Sequence, residues 1–498
     1  MKKICYAAML CLVVLLGACR KKTQVTEPGV QGSTIDLIKD SIYLYTKETY
    51  YWNNQIPAYD AVQPRNFSGT TEAAALSNEV NALALYAINP ANNLAYEYVA
   101  NSPGRAKYSF IDNGQTSEQL GGSRADFGFA VTSVSATDMR VRYVYEGSAA
   151  GNANLHRGEQ ITAINGRSDL NLGLTADYNF VVNALGTTPI NMTLRRGDNT
   201  TYSVTLNSSS YTVNPVITYK MFDQGNGKKV GYMVLNSFTS PANAQSRLET
   251  AMNYFATNNV TDLVVDLRYN GGGYVSTAET LTNMIAPAAK NNTTMYATYY
   301  NSILTNGQAQ LLKNQYFKYS DGKYYNYAQI DYSLAGNTVK FAKRGNLNVN
   351  RVFFIVTGST ASASELTINN LRPHMDVKLI GRNTYGKPVG FFAMNINKYQ
   401  LYVSQFETKN SQGQGGYYTG MLPGSTEYPG VNDADDLTKD FGDPTEKLLQ
   451  HALNFVATGT YGATLKVQST GTQTAIQQSV GAEGFNGMVM DKAPKLKK

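Results

Sequence analysis

Two apolar runs on either side of a helical stretch constrain the middle of this 498-residue chain more than anything else in it. Lys229-Val-Gly-Tyr-Met-Val-Leu235 is followed by helical spacing from Ala242 to Phe255, and then by Asp262-Leu-Val-Val-Asp-Leu-Arg268. A strand, a helix and a second strand of these lengths predict a parallel βαβ unit, because parallel strands need a crossover between them. The second run ends in Tyr269-Asn270-Gly271-Gly272-Gly273. Glycines after a buried strand permit positive φ and close backbone approach. Opening a helix over Ser276–Ile285, they suit an anion-binding or oxyanion turn.

A third apolar run, Arg351 to Thr357, leads into Gly358-Ser-Thr-Ala-Ser-Ala-Ser-Glu365. This predicts strand, tight turn and helix start, with a serine lifted to the sheet edge beside free N–H groups of the next helix. A serine is a poor nucleophile until a base takes its proton. Gly386-Lys387-Pro388 follows and supplies a candidate base without any histidine.

Elsewhere the patterns are looser. Thr34 to Leu85 has helical spacing and predicts a small helical unit, with Tyr50-Tyr51-Trp52-Asn53 as core packing. From Arg124 to Leu206 short strands take over: 126–132, 139–145, 159–166 and 190–194. The stretch Ala288–Asn350 is Tyr/Asn-rich and long enough to need structure of its own; hairpins over a cleft are expected there. Strands are expected over 391–395 and 400–404, and a closing helix from Thr445 to Val456. Residues beyond Gly459 are rich in Gly, Thr, Gln and Ser and are expected to be loosely ordered.

The termini account for the charge. The net +7 falls to zero once residues 1–22 and 483–498 are set aside, so charge gives no argument for a nucleic-acid partner. Met1-Lys2-Lys3 and the apolar stretch Ile4–Leu16 form a signal segment too short to span a membrane as a mature helix. It ends in Leu16-Gly17-Ala18-Cys19, which resembles the lipobox of bacterial lipoproteins; residues 20–33 then form a tether. The three cysteines are Cys5, Cys11 and Cys19, so the mature body has no thiol and no disulfide.

Taken in order, Asp266-Leu-Arg-x-Asn-Gly-Gly-Gly273, Thr360-Ala-Ser-Ala-Ser-Glu365 and Thr384-x-Gly-Lys387 resemble the carboxy-terminal processing (tail-specific) serine peptidase family. With Phe441-Gly-Asp-Pro444, the resemblance covers roughly residues 34–456. It implies an α/β fold: a βαβ-containing, ClpP/crotonase-like peptidase core over 207–458, a PDZ-like β domain over 124–206, a helical region over 34–123 and a tail over 459–498. The family's nucleophile falls on Ser362 and its lysine on Lys387. The oxyanion donors fall on the N–H groups of Ala363 and Gly273, with Gly272 as competitor. Glu365 matches a supporting position. A direct carboxylate contact would raise the lysine pKa, so its expected partner is a hydroxyl or the backbone. Lys387 has to be neutral to serve as base, which predicts an apolar wall for which Phe391 and Phe392 are candidates. Many relatives carry a glutamine where this chain has Phe391.

Glu146 to Gly166 carries the PDZ likeness, and the carboxylate-binding loop maps to Phe127-Gly128-Phe129-Ala130. The implied activity is that of a Ser-Lys endopeptidase acting on polypeptides, selected through their C-termini. It would be lipid-anchored through Cys19 in the bacterial envelope, on the periplasmic face of the outer membrane, and need no cofactor or metal. A non-catalytic peptide-binding lipoprotein on the same fold, or a hydrolase of another acyl bond, also fits these residues. Ser359, Ser364 and His374 are rivals to the pair, and His156 is expected to sit exposed in a turn. Asp433-Ala-Asp-Asp436 resembles part of a calcium loop but lacks the remaining ligands, so a solvated acidic loop is expected.

Overall fold

Ser33 starts the first helix. Its hydroxyl accepts the Asp36 N–H and Asp36 returns the bond to the Ser33 N–H, a capping box that opens α1 (Thr34–Thr49). The computed structural model describes residues 31–319, 321–462, 478–480, 487–491 and 495–497. The signal stretch, Cys19 and nearly all of the tether lie outside the described residues. Helix α2 (Glu72–Leu85) packs on α1, giving the expected helical unit. No described helix is long and apolar enough to cross a membrane.

The next unit is a sheet of β1 (Phe129–Ser135), β2 (Asp138–Val144), β3 (Gln160–Ile164), β4 (Ile190–Arg195) and β5 (Thr201–Leu206), paired antiparallel in sequence order. Helix α3 (Thr175–Leu185) covers its apolar face through Val181 and Ala184. The sequence reading has four of these strands within a few residues, but neither α3 nor β5.

The core sheet has the order β6-β7-β8-β10-β11-β12: β6 (Val216–Asp223), β7 (Lys229–Leu235), β8 (Asp262–Asp266), β10 (Arg351–Val356), β11 (Asp376–Gly381) and β12 (Gly430–Asn432). All neighbours from β7 to β12 are parallel, and β6 closes one edge antiparallel. The expected βαβ unit is β7, α4 (Pro241–Thr257), β8. Leu263 and Val265 face the cluster under α4, α5 (Val275–Ile285) and α6 (Ala363–Leu371), while Val264 faces α7 (Lys447–Thr458). Both faces are covered, which is why the interior positions of β7, β8 and β10 are apolar on both sides. Each such buried side chain contributes about 1.5–3 kcal/mol.

Between β8 and α5 lies the short strand β9 (Gly272–Tyr274). The 288–350 stretch contains the strand Thr294–Tyr300, paired with Phe406–Asn410, and a hairpin of Tyr316–Lys318 with Tyr324–Asn326. Its Leu304, Leu312, Ile330 and Tyr332 share one apolar cluster with the N-terminal helices and with Phe391 and Phe392.

Two expectations are corrected. The 433–436 segment is not simply a solvated acidic loop. Asp435 is buried and takes Arg268 at 2.5 Å and Arg157 at 2.8 Å, because two guanidinium groups desolvated in the core require a carboxylate between them. Asp266 and Glu446 complete the cluster around Arg268, at 2.7 and 2.9 Å. The tail beyond Gly459 is not uniformly loose either, since its described parts pair with the body. They include β13 (Gln478–Val480), antiparallel on β1, and β14 (Gly487–Val489), parallel on β9.

Candidate active site

Ser362 occupies the turn between β10 and α6 with φ +59° and ψ −104°. That backbone state is costly for a residue bearing a side chain and persists only where its surroundings fix it. Here they do. Ala361 N–H donates to Asn270 O at 3.1 Å, Thr360 Oγ1 to Leu267 O at 2.8 Å, and Ser364 Oγ to Asn270 O at 3.0 Å. The serine turn is thereby stitched to the loop that carries the glycines. Ser362 itself is wholly buried, with Oγ 3.5 Å from Val389 O.

Glu365 joins the two halves of the site. Its Oε2 accepts the Ser362 N–H and the Lys387 N–H, each at 2.8 Å, and its Oε1 accepts the Gly386 N–H at 2.7 Å and the Thr384 hydroxyl at 2.5 Å. One carboxylate oxygen therefore bridges the backbones of residues 362 and 387. Burial pushes the Glu365 pKa up, and the four donors pull against it.

Lys387 is fully buried. Its Nζ lies 3.9 Å from the centroid of the Phe391 ring and 5.3 Å from that of Tyr108. Loss of hydration drives its pKa well below the ordinary lysine value. Glu97 and Glu365 oppose that fall and Lys107 adds to it. Phe391 forms the wall; Phe392 stacks instead on Tyr327, 5.2 Å between centroids.

The N-terminal unit closes the site from the other side, which the sequence reading misses. Tyr108 OH donates to Gly386 O at 2.5 Å, and Lys107 Nζ reaches the same oxygen at 3.2 Å and Tyr418 O at 2.9 Å. Burial brings the Lys107 pKa down to about 8. Glu97, also buried, accepts from Tyr50 OH, the Tyr108 and Ser109 N–H groups and the Ser109 and Ser404 hydroxyls. No local pattern marks these residues; they become neighbours of Lys387 only through packing between distant segments.

Gly272 and Gly273 have φ of +110° and +138°. A Cβ on Gly273 would overlap the Phe238 carbonyl, and one on Gly272 would lie 3.1 Å from Ala363 N. The Gly272 N–H already donates to Asn270 Oδ1 at 2.9 Å. Among the rivals, Ser364 points inward onto Asn270 and Ser359 accepts from Arg142 at 2.8 Å. His374 bonds Ser411 Oγ at 2.9 Å and meets the Phe341 ring edge-on. In the sheet unit, Gly128 has φ +80° and its N–H donates to Asp126 Oδ1 at 2.7 Å; Phe127 is buried, while Phe129 and Ala130 begin β1 half-buried. His156 is exposed, 3.8 Å from Asp440. No cluster of His, Cys, Asp and Glu suited to a metal occurs among the described residues.

Residues 229–421 match the profile described as Peptidase family S41. A curated relative, the carboxyl-terminal-processing protease of a Picosynechococcus species, is 26% identical over 242 residues, 48% of this chain and 49% of its own length. The match thus spans about half of that relative. A Bacteroides fragilis NCTC 9343 protein assigned to the S41 proteases shares the fold: TM-score 0.55 at 22% identity, over 84% of this chain and 97% of its own. The matched segment begins at β7 and contains the glycine turn, Ser362, Glu365 and Lys387 together. Residues 229–421 are thus similar to peptidase family S41, and about half of the chain to a carboxyl-terminal-processing protease.

Proposed function

We propose that this chain is a serine endopeptidase that cleaves polypeptides through an acyl-enzyme on Ser362, with Lys387 as the general base. The observation that carries this reading is the Glu365 carboxylate, which fastens the strained Ser362 turn to a lysine enclosed by Phe391 and Tyr108. A lysine acts as base only when neutral. Bringing its pKa from ~10.4 to near 7 takes about 4–5 kcal/mol of destabilisation of the ammonium, at ~1.4 kcal/mol per unit. Complete burial supplies a cost of that order. The oxyanion formed on attack is assigned to the N–H groups of Gly273 and Ala363, since Asn270 already holds the Gly272 N–H. Glu365 is a positioning residue. Fluorophosphonate labelling tests the assignment: the wild-type chain should be labelled at Ser362, and a chain that takes no label, or takes it on another serine, would overturn it.

The sheet unit over 124–206 is proposed to be a PDZ-like domain that receives substrate C-termini along β1, with Phe127–Ala130 as the carboxylate loop. Since Asp126 holds the Gly128 N–H, the carboxylate would use the other N–H groups of that loop. A chain ending at Gly462, which leaves the β1 edge without β13, should bind peptides with a free α-carboxylate about tenfold more tightly than their amides. A charge-assisted hydrogen bond contributes about 1.5–3 kcal/mol and tenfold is ~1.4 kcal/mol. Equal affinities in a calorimetric titration would leave this unit as a brace.

The enzyme is further proposed to be an envelope lipoprotein, anchored through Cys19 and facing the periplasm from the outer membrane. Cys19→Ser should move it from the membrane fraction to the soluble fraction, because the acyl-modified cysteine would be the anchor. Unchanged fractionation would contradict the lipobox reading.

A further inference from the structure

The tail strand β14 lies in the cleft that a polypeptide substrate of this peptidase has to enter. On one side it pairs with the glycine turn, Gly272 with Gly487, Gly273 with Met488 and Tyr274 with Val489. On the other side the Phe391 N–H donates to Met488 O at 2.9 Å, and the Met490 N–H to Phe391 O at 2.8 Å. The strand is therefore inserted between β9 and the residue whose ring lies against Lys387.

Its register is specific. The Gly487 N–H donates to Gly271 O at 2.8 Å, and the parallel ladder turns the Gly487 carbonyl toward the Gly273 N–H. A Cβ on Gly272 would overlap that carbonyl oxygen while lying 3.1 Å from Ala363 N. The Gly487 oxygen thus faces the Gly273 N–H assigned to the oxyanion, on the side of Gly272 that carries the serine turn. Beyond it, Met488 is wholly buried in the main apolar cluster, and Asp491 accepts from the N–H and hydroxyl of Ser276 at the start of α5. Upstream, β13 covers the open edge of β1, with Val480 in the cluster beneath α3.

We propose that the tail is this enzyme's own substrate, that Ser362 cuts the Gly487–Met488 bond of the same chain, and that loss of the segment beginning at Met488 opens the cleft to other polypeptides. The inference rests on the Ser-Lys peptidase reading. Ser362 Oγ attacks the Gly487 carbonyl carbon as its proton passes to Lys387 Nζ. The Gly487–Met488 bond then breaks, and the Met488 nitrogen takes that proton and leaves as an amine. Water attacks the Gly487–Ser362 ester, releasing the Gly487 carboxylate and restoring the hydroxyl. A strand that served only as a brace could pair in another register, whereas this one turns the Gly487 carbonyl to the Gly273 N–H assigned to the oxyanion. Tethering presents the tail at an effective concentration on the order of mM, so a polypeptide at µM competes poorly until the bond is cut.

The test follows the intact mass of the purified full-length chain over time, beside casein hydrolysis and fluorophosphonate labelling. The expected result is a new C-terminus at Gly487 in the wild type, formed at a first-order rate independent of protein concentration, with none in Ser362→Ala. Met488→Asp, which puts a charge into an apolar site and so unseats β14 from the cleft, should slow the cut at least tenfold without lowering casein hydrolysis or labelling. An uncut wild type that hydrolyses casein and takes the label would overturn self-cleavage and leave the peptidase standing. Absence of cut, hydrolysis and label together would overturn both. A cut at another bond, a cut that persists in Ser362→Ala, or a rate proportional to concentration would also overturn the proposal.

Discussion

Replacing Ser362 by alanine is expected to lower kcat for polypeptide hydrolysis by on the order of 10^4–10^6, the loss seen when a nucleophile acting as one unit with its base is removed. The fold should be nearly untouched. Alanine accepts the φ of +59° no worse than serine does, and the hydroxyl's contact with Val389 O is a long one, 3.5 Å, so the stability change should stay within about 1 kcal/mol. The turn is held by Glu365, Thr360 and Ser364, none of which needs the Ser362 hydroxyl. Steady-state hydrolysis of labelled casein by rigorously purified protein, with a thermal melt of the same sample, checks both halves. Retained turnover at wild-type rates would remove Ser362 from the mechanism. A collapsed melt would show that the turn depends on the hydroxyl in a way its contacts do not account for.

The parts of this fold that are legible in the sequence are those whose stabilising contacts are local or periodic. β7, α4 and β8 declare themselves because both faces of a parallel sheet are buried, leaving unbroken apolar runs around an amphipathic helix. The Ser362 turn and the glycines after β8 are visible because small residues mark the places where backbone approaches backbone. What is hidden depends on pairing across long separations. Tyr108 and Lys107 meet Gly386 across about 280 residues, and nothing near Tyr108 in sequence announces a partner. Asp435 looks solvated among its acidic neighbours because its cations, Arg157 and Arg268, lie more than 160 residues away in the chain. β14 is a three-residue strand within a Gly-rich tail. It has no periodicity of its own and is a strand only because β9 and Phe391 supply edges on both sides.

Lys387→Met should cost at least ~10^3 in kcat/KM, because general-base catalysis contributes up to about 10^4 and Lys387 is the base proposed for the serine. The same change should leave the melt unchanged or raised. Methionine matches the volume of the stem, and an apolar group in a fully buried position avoids the desolvation that the lysine bears. Lys387→Arg should not rescue activity, since a guanidinium stays protonated and cannot accept the proton. The pH profile gives the sign. Lys387 has a folded-state pKa well below its ordinary value, so the competent neutral form is lost as pH falls through that depressed pKa. Wild-type kcat/KM should therefore decline on the acid side and level off above, and this limb should be missing from the residual activity of Lys387→Met. His374 offers a counter-test. It is engaged with Ser411 and Phe341, and burial lowers its pKa as well, so His374→Ala should keep most activity along with the acid limb. Activity within tenfold of wild type in Lys387→Met, or loss of the acid limb in His374→Ala, would transfer the base role away from the lysine.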